Sequence, residues 1–261
     1  MSVFSQAFDY LQYRLRALKL HGVHSPFIFQ LYQNVILDKE KYESYTSVEA
    51  LRKELLQDKR KINVTDFGAG SKVTNQRERS INEIARNSAK PAKYSQLLYR
   101  LVQHFKPNTV FELGTSLGIT TSYLAKANSE VNIYTFEGCP AIAQTAKANF
   151  EQLNLANINQ VIGNLDHTLA KQLQPIKQLD FVFFDGNHRY EPTMRYFEAC
   201  LTRHHEDSVF VMDDIYWSDE MKQAWESIKQ HPQVRQTVDL YFIGLVFFRT
   251  TQPKEHFTLA Y

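Results

Sequence analysis

Val110-Phe111-Glu112-Leu113-Gly114-Thr115-Ser116-Leu117-Gly118-Ile119-Thr120 passes from a short apolar strand through two glycines into a helical pattern. The next apolar run, 132–137, closes on Glu137. Glycines at a strand-to-helix turn let the backbone bend tightly and let a ligand approach with no Cβ in its way. A carboxylate at the tip of the following strand can accept both hydroxyls of a ribose. The order strand, glycine loop, helix, strand, acid therefore reads as a nucleoside site, whereas the glycines alone would read equally as turn chemistry.

Outward from this loop, short apolar runs alternate with helix-length segments. Residues 110–113, 132–137, 160–163, 179–185 and 208–213 are brief, rich in Val, Ile and Phe, and read as buried strands. Helical patterns fall between and after them at 115–127, 140–153, 167–173, 190–204 and 218–230. Such alternation implies right-handed crossovers and a parallel sheet. The end differs, because 234–240 and 243–249 are separated by Tyr241-Phe242 alone, too short for a crossover, so they must pair antiparallel. Before the sheet, Phe4, Phe8, Leu11, Leu15 and Leu18 recur at helical steps. Residues 38–93 are polar, with one short apolar run at 62–67. The expected division is a helical cap with a connecting segment over 1–93 and a Rossmann-like α/β domain over 94–261. A second glycine turn, Gly68-Ala69-Gly70-Ser71, has no acid-tipped strand after it and reads as a cap turn.

Composition narrows the function classes. The chain has 261 residues, 43% hydrophobic and 22% charged, and a formal net charge of +2. That balance gives no strong field for a phosphate backbone or an anionic membrane, so neither nucleic acid nor membrane is an expected partner. Cys139 and Cys200 are too few for a disulfide framework or a thiolate zinc site. With no apolar stretch of signal-peptide type, the cytoplasm is the expected location. Cys139 directly follows the acid-tipped strand and Cys200 lies in an apolar helix stripe with Tyr196 and Phe197, so both read as structural.

Further acids stand at strand ends. Phe181-Val182-Phe183-Phe184-Asp185-Gly186-Asn187-His188 and Val209-Phe210-Val211-Met212-Asp213-Asp214 carry carboxylates where ligands of open parallel sheets sit. Asp185, Asp213 and Asp214 in one cleft would repel one another unless a cation lay between them. Oxygen-only ligands suit Mg²⁺, Mn²⁺ or Ca²⁺. The alternative is that Asp213 and Asp214 cap the following helix while Asp185 merely ends a strand. His188 reads either as a surface histidine at a helix start or as a base beside Asp185. His21, His24, Tyr94, Tyr190, Tyr216 and Trp217 would line an acceptor pocket, or lie in the core.

The loop is Gly-x-x-x-Gly, offering few amides to a pyrophosphate, and Glu112 just before it would repel a diphosphate and attract a sulfonium. S-adenosylmethionine fits better than a nicotinamide dinucleotide. Over roughly 94–250 the chain resembles the class I S-adenosylmethionine-dependent methyltransferases, nearest to the catechol and caffeoyl-CoA type O-methyltransferases, in which a Glu-Leu-Gly loop and an acid-tipped second strand recur. The resemblance implies a seven-stranded, mostly parallel sheet ending in an antiparallel hairpin. It also implies that Glu112, Gly114, Ser116, Gly118 and Thr120 line the methionine end of the cofactor, Glu137 the ribose, Asn164 with Leu165 the adenine, and that Asp185 borders the cofactor. It implies metal ligands at Asp185, Asp213 and Asp214, with Asp185 and His188 catalytic. The sequence departs from that family twice: Asp214 stands where it has Asn, and His188 where it has the Lys base. The expected activity is methyl transfer to a small-molecule acceptor, at oxygen with divalent-cation help. The alternatives are a metal-free N-methyltransferase and a non-catalytic nucleoside-binding regulatory module. A homodimer is left open as the assembly.

Overall fold

The computed structural model describes residues 3–65 and 78–261. The Gly68-Ala69-Gly70-Ser71 turn lies outside the described residues. In chain order the first elements are α1 (Val3–Arg16), α2 (Pro26–Leu31), α3 (Glu43–Leu55), β1 (Lys61–Asn63), β2 (Glu78–Ser80), α4 (Ile81–Ser88), α5 (Ala92–Phe105), β3 (Thr109–Leu113), α6 (Ile119–Ala127), β4 (Asn132–Glu137) and α7 (Pro140–Gln152). There follow β5 (Ile158–Ile162), α8 (Leu165–Leu173), β6 (Phe181–Phe184), α9 (Tyr190–Leu201), β7 (Val209–Asp213), α10 (Asp219–Gln230), β8 (Gln236–Asp239), β9 (Ile243–Phe247) and β10 (Glu255–Thr258). The fold is α/β, mostly parallel with antiparallel strands near its end, as expected. The chain forms two compact units, Lys39–Pro175 and Met1–Asp38 with Ile176–Tyr261.

In the Lys39–Pro175 unit, β4 pairs parallel with both β3 and β5. β3 is buried along nearly its whole length, as helices on both faces of a parallel sheet require, whereas β5, expected as a buried strand, is an edge strand carrying Asn159 and Gln160 with no fully buried residue. Tyr45, Val48, Leu51 and Leu55 put a helical stripe of α3 into one buried cluster with Ile81, Ile84, Tyr99, Leu117 and Tyr123. Helices α3 and α4 are thus integral to this unit's core, and the boundary at Asp38 falls inside the segment expected to form a cap over 1–93. Its polar composition conceals the stripe, because three- and four-residue steps need few apolar positions to bury one helix face.

In the other unit, β6 pairs parallel with β7, β9 runs antiparallel to both β7 and β8, and β10 lies parallel to β8. The expected closing hairpin is present, and β10 is a strand added to the expected seven. The Asp239 side chain caps the two-residue turn: Oδ1 accepts from the Tyr241 amide at 2.8 Å and Oδ2 from the Tyr216 hydroxyl at 2.6 Å. The chain's two ends meet beside it. Leu18 N donates to Thr258 O and Ala260 N to Leu18 O, while the Tyr13 hydroxyl donates to Leu259 O at 2.6 Å.

Burial pushes the Asp239 carboxyl above the ordinary carboxylate range, against the pull of its two hydrogen bonds. A carboxyl whose folded pKa is raised contributes stability that is complete below its unfolded value and lost as pH rises through the folded value. Asp239→Asn keeps one acceptor oxygen, replaces the other by an NH2 donor and removes the charge. It is expected to raise stability at neutral pH, with the gain fading as the pH falls toward about 4. Urea unfolding at the two pH values measures this, and a gain that persists at the lower pH would refute it.

Candidate active site

In the Lys39–Pro175 unit, β3 delivers the glycine loop. Gly114, Ser116 and Gly118 take positive φ angles of 118°, 48° and 77°. The amides of Gly114 and Thr115 both bond to Phe136 O, at 3.1 and 3.0 Å, which pins the loop to β4. At the tip of β4, Glu137 Oε2 accepts from the Ser116 amide at 2.9 Å and Oε1 from the Cys139 amide at 2.8 Å. Loop and acid are therefore one hydrogen-bonded assembly. The two hydrogen bonds hold the Glu137 carboxylate against the loop.

Glu112 lies fully buried under the loop. Its Oε2 accepts from the hydroxyls of Thr121 and, at 2.6 Å, Thr135, and Thr135 shares a 2.5 Å hydrogen bond with Thr115 of the loop. Thr120 is also buried, at the start of α6. Gly118 has a packing reason for lacking a side chain: a Cβ there would come within 2.4 Å of Phe150 on α7. Beside Glu137, the amide of Gly163 donates to Glu137 O at 2.9 Å. Asn164 caps α8 by accepting from the Asp166 amide at 3.0 Å, and Leu165 follows half-buried. Glu137, Asn164 and Leu165 thus stand at or just beyond the carboxyl ends of β4 and β5. An acid fixed to an open glycine turn fits an adenosyl cofactor.

In the other unit, β6 and β7 end in a second cluster. One ligand atom from each of Asp185, His188 and Asp213 lies within 4.8 Å of the others, and His188 Nε2 stands 3.5 Å from Asp185 Oδ1. Asp213 is fully buried; Asp185 and His188 are partly open. Asp214 is not in this group. It occupies a left-handed turn with φ 51°, its amide donating to Phe242 O at 2.7 Å and its carbonyl accepting from Trp217 N at 2.8 Å. Ser218 caps α10, accepting from the Met221 amide at 3.1 Å, so neither Asp213 nor Asp214 serves as that helix's cap. Two carboxylates and an imidazole within 4.8 Å suit a divalent cation in their donor types and spacing.

Tyr216, Tyr190 and Trp217, also expected in an acceptor pocket or the core, have partners of their own. Tyr216 is tied to Asp239 and stacks on Tyr241 at 5.0 Å and 9°; burial raises its phenol above the ordinary tyrosine range. Tyr190 shares a 3.3 Å hydrogen bond with Ser227. Trp217 and Phe242, bonded through their backbones to Asp214, expose their rings to solvent. Phe242 was not among the expected site residues. Its signal is an aromatic pair in a two-residue hairpin turn, where Asn and Gly are the usual choices.

Residues 111–215 match the family model described as a methyltransferase domain. No curated protein matches. Among solved structures, the chain is similar to an O-methyltransferase from Bacillus cereus in complex with SAH (18% identity, TM-score 0.56, covering 83% of this chain and 94% of that one). It is also similar to the O-methyltransferase TomG from Streptomyces achromogenes, in complex with SAM (17%, 0.57, 84% and 95%). A third is the SAH-bound methyltransferase PaMTH1 from Podospora anserina (10%, 0.60, 87% and 97%). At these identities the structures share the fold, and the domain match lies on the stretch that carries both the glycine loop and the carboxylate cluster. Over residues 111–215 the chain carries a methyltransferase domain, in a fold shared with solved O-methyltransferases.

Proposed function

We propose that the protein transfers a methyl group from S-adenosylmethionine to a hydroxyl of a small aromatic acceptor with the help of a divalent cation. The observation that carries the oxygen-directed, cation-assisted reading is the Asp185, His188 and Asp213 cluster. When bound, S-adenosylmethionine supplies the methyl carbon, and a cation lowers the pKa of the acceptor hydroxyl. Transfer at a sulfonium carbon is an in-line displacement, which leaves the chain to align the reactants and remove a proton. Glu137 binds the ribose. Glu112 acts through Thr121, Thr135 and Thr115, holding the loop in its ligand-facing shape. Asp185 and Asp213 hold the cation, and the exposed rings of Trp217 and Phe242 flank an aromatic acceptor. His188 takes the acceptor's proton on Nε2, which stands 3.5 Å from Asp185 Oδ1.

The place of His188 in the cluster also favours a second role, as a nitrogen ligand to the cation. His188→Ala separates the two. If His188 is the base, Mg²⁺ affinity holds and activity recovers partly at high pH, where the acceptor ionises unaided; if it is a ligand, Mg²⁺ affinity falls.

Turnover on a panel of vicinal diols, monophenols and amines, with and without chelator, tests the assignment. Diol methylation that stops with chelator and returns with Mg²⁺ is the expected result. Chelator-insensitive methylation of an amine would replace this reading by the metal-free N-directed one, and cofactor binding without any turnover would favour the regulatory module. Glu137→Ala is expected to weaken S-adenosylmethionine binding by about 1–3 kcal/mol, because a pair of ribose hydroxyls loses its acceptor. Calorimetry checks this, and unchanged affinity would remove Glu137 from the cofactor site.

A further inference from the structure

Helix α1 turns its apolar residues away from its own unit. On the inner side, Asp9 pairs with Lys222 at 2.8 Å, the Tyr13 hydroxyl bonds to Leu259 O, and Gln6 O accepts from the Tyr241 hydroxyl at 2.9 Å. On the outer side, Phe8, Leu11 and Leu15 are 60%, 56% and 79% exposed, with Leu18, just past the helix end, 39% exposed. The spacing 8, 11, 15, 18 is the a/d repeat of a heptad, and Phe4 continues it in the sequence. At 3.6 residues per turn Phe8, Leu11 and Leu15 fall within about 60° of arc, roughly opposite Tyr13. So narrow a stripe is the seam of a helix pair, whereas a helix lying in a lipid surface presents a broader apolar face.

We propose that this ridge is covered by a second copy of the chain, with the two α1 helices antiparallel across a two-fold axis near Leu11. The contact is then isologous, Phe8 of each copy packing on Leu15 of the other. Charge selects the direction. Arg14 and Arg16 lie in the last turn, Lys19 follows, and the first turn carries no acid. Antiparallel packing sets each cationic end against the other copy's uncharged first turn, while parallel packing would place the two cationic ends side by side. At roughly 200 Å² for a large apolar residue, the exposures given above leave about 450 Å² per copy to be covered. The pair buries about 900 Å² before the stems of Arg14 and Gln12 are added. That is close to the ~1,000 Å² at which a specific interface begins, so the dimer is reversible and concentration-dependent.

Sedimentation velocity of the full chain, over a concentration series reaching tens of micromolar, tests the proposal. The wild-type mass is expected to rise toward twice 30.5 kDa, while Leu11→Glu with Leu15→Glu stays at 30.5 kDa. Both changes are at exposed positions, so circular dichroism and the thermal midpoint of that variant should match the wild type measured at low concentration. Leu11→Cys should cross-link to a covalent dimer in oxidised glutathione, and Ser129→Cys, exposed elsewhere, should not; Cys139 and Cys200 are buried and give little background. A wild type that is monomeric throughout, a dimer that survives the double substitution, or a Leu11→Cys that does not cross-link would each overturn it. A monomer that sediments with phosphatidylserine vesicles and loses that binding on Leu11→Glu with Leu15→Glu would assign the ridge to a lipid surface and likewise overturn the dimer.

Discussion

Asp185→Ala is expected to lower methyl transfer by about 10²–10⁴-fold while cofactor affinity stays within about tenfold. Asp185 belongs to the cluster with Asp213 and faces His188 at 3.5 Å. Its loss removes a cation ligand and the carboxylate beside His188, both of which bear on the acceptor's proton and neither on the ribose. Excess Mg²⁺ should restore part of the activity if the remaining ligands bind weakly. Asp214→Asn supplies the contrast. Asp214 is outside the cluster, and Asn tolerates the left-handed φ of 51° as well as Asp does, so turnover should stay within about threefold, less than 1 kcal/mol. Steady-state kinetics with metal titration reads both variants. An active Asp185→Ala, or an Asp214→Asn that loses its metal response, would refute the assignment of the cluster.

Gly118→Ala is expected to destabilise the fold by about 2–5 kcal/mol, the sum of left-handed backbone strain and overpacking. Gly118 has φ 77°, and its added Cβ would meet the Phe150 ring at 2.4 Å and the Ala146 Cβ at 3.3 Å. For a domain of this size the thermal midpoint should fall by roughly 5–15 °C. Phe150→Leu in the same chain relieves the clash and leaves the strain, so the double variant should recover part of the loss, and partial recovery separates the two causes. A midpoint unchanged by Gly118→Ala would mean that the loop does not hold this conformation.

The strand and helix order from Thr109 to Phe247 was legible because most strands are short apolar runs and the helices between them show their own periodicity. Burial on a pleated sheet and on a helix leaves different repeats, and both survive in a single sequence. The closing hairpin was legible from its two-residue connection. Three elements were not. Helix α3 hides its core stripe, Tyr45, Val48, Leu51 and Leu55, among charged neighbours. Strand β10 begins Glu255-His256, without an apolar run, because it takes its place by parallel pairing with β8. Helix α1 shows a clear apolar repeat whose direction the sequence does not carry, and Asp9 and Tyr13 hold it with the repeat turned out.

In the site, sequence alone determined that a glycine loop leaves β3, that an acid tips β4, and that acids follow β6 and β7. These are statements about order along the chain, and strand-to-helix turns place such residues at one end of a strand whatever the surroundings. Tertiary structure decided where each carboxylate points. Glu112 goes beneath its loop because Thr121 and Thr135 donate to it there. Asp213 joins Asp185 and His188 while its neighbour Asp214 does not, since successive side chains of a strand face opposite sides and Asp214 has already entered the turn. Neighbours in sequence can therefore differ in role, because direction and partners are set by contacts between elements distant along the chain.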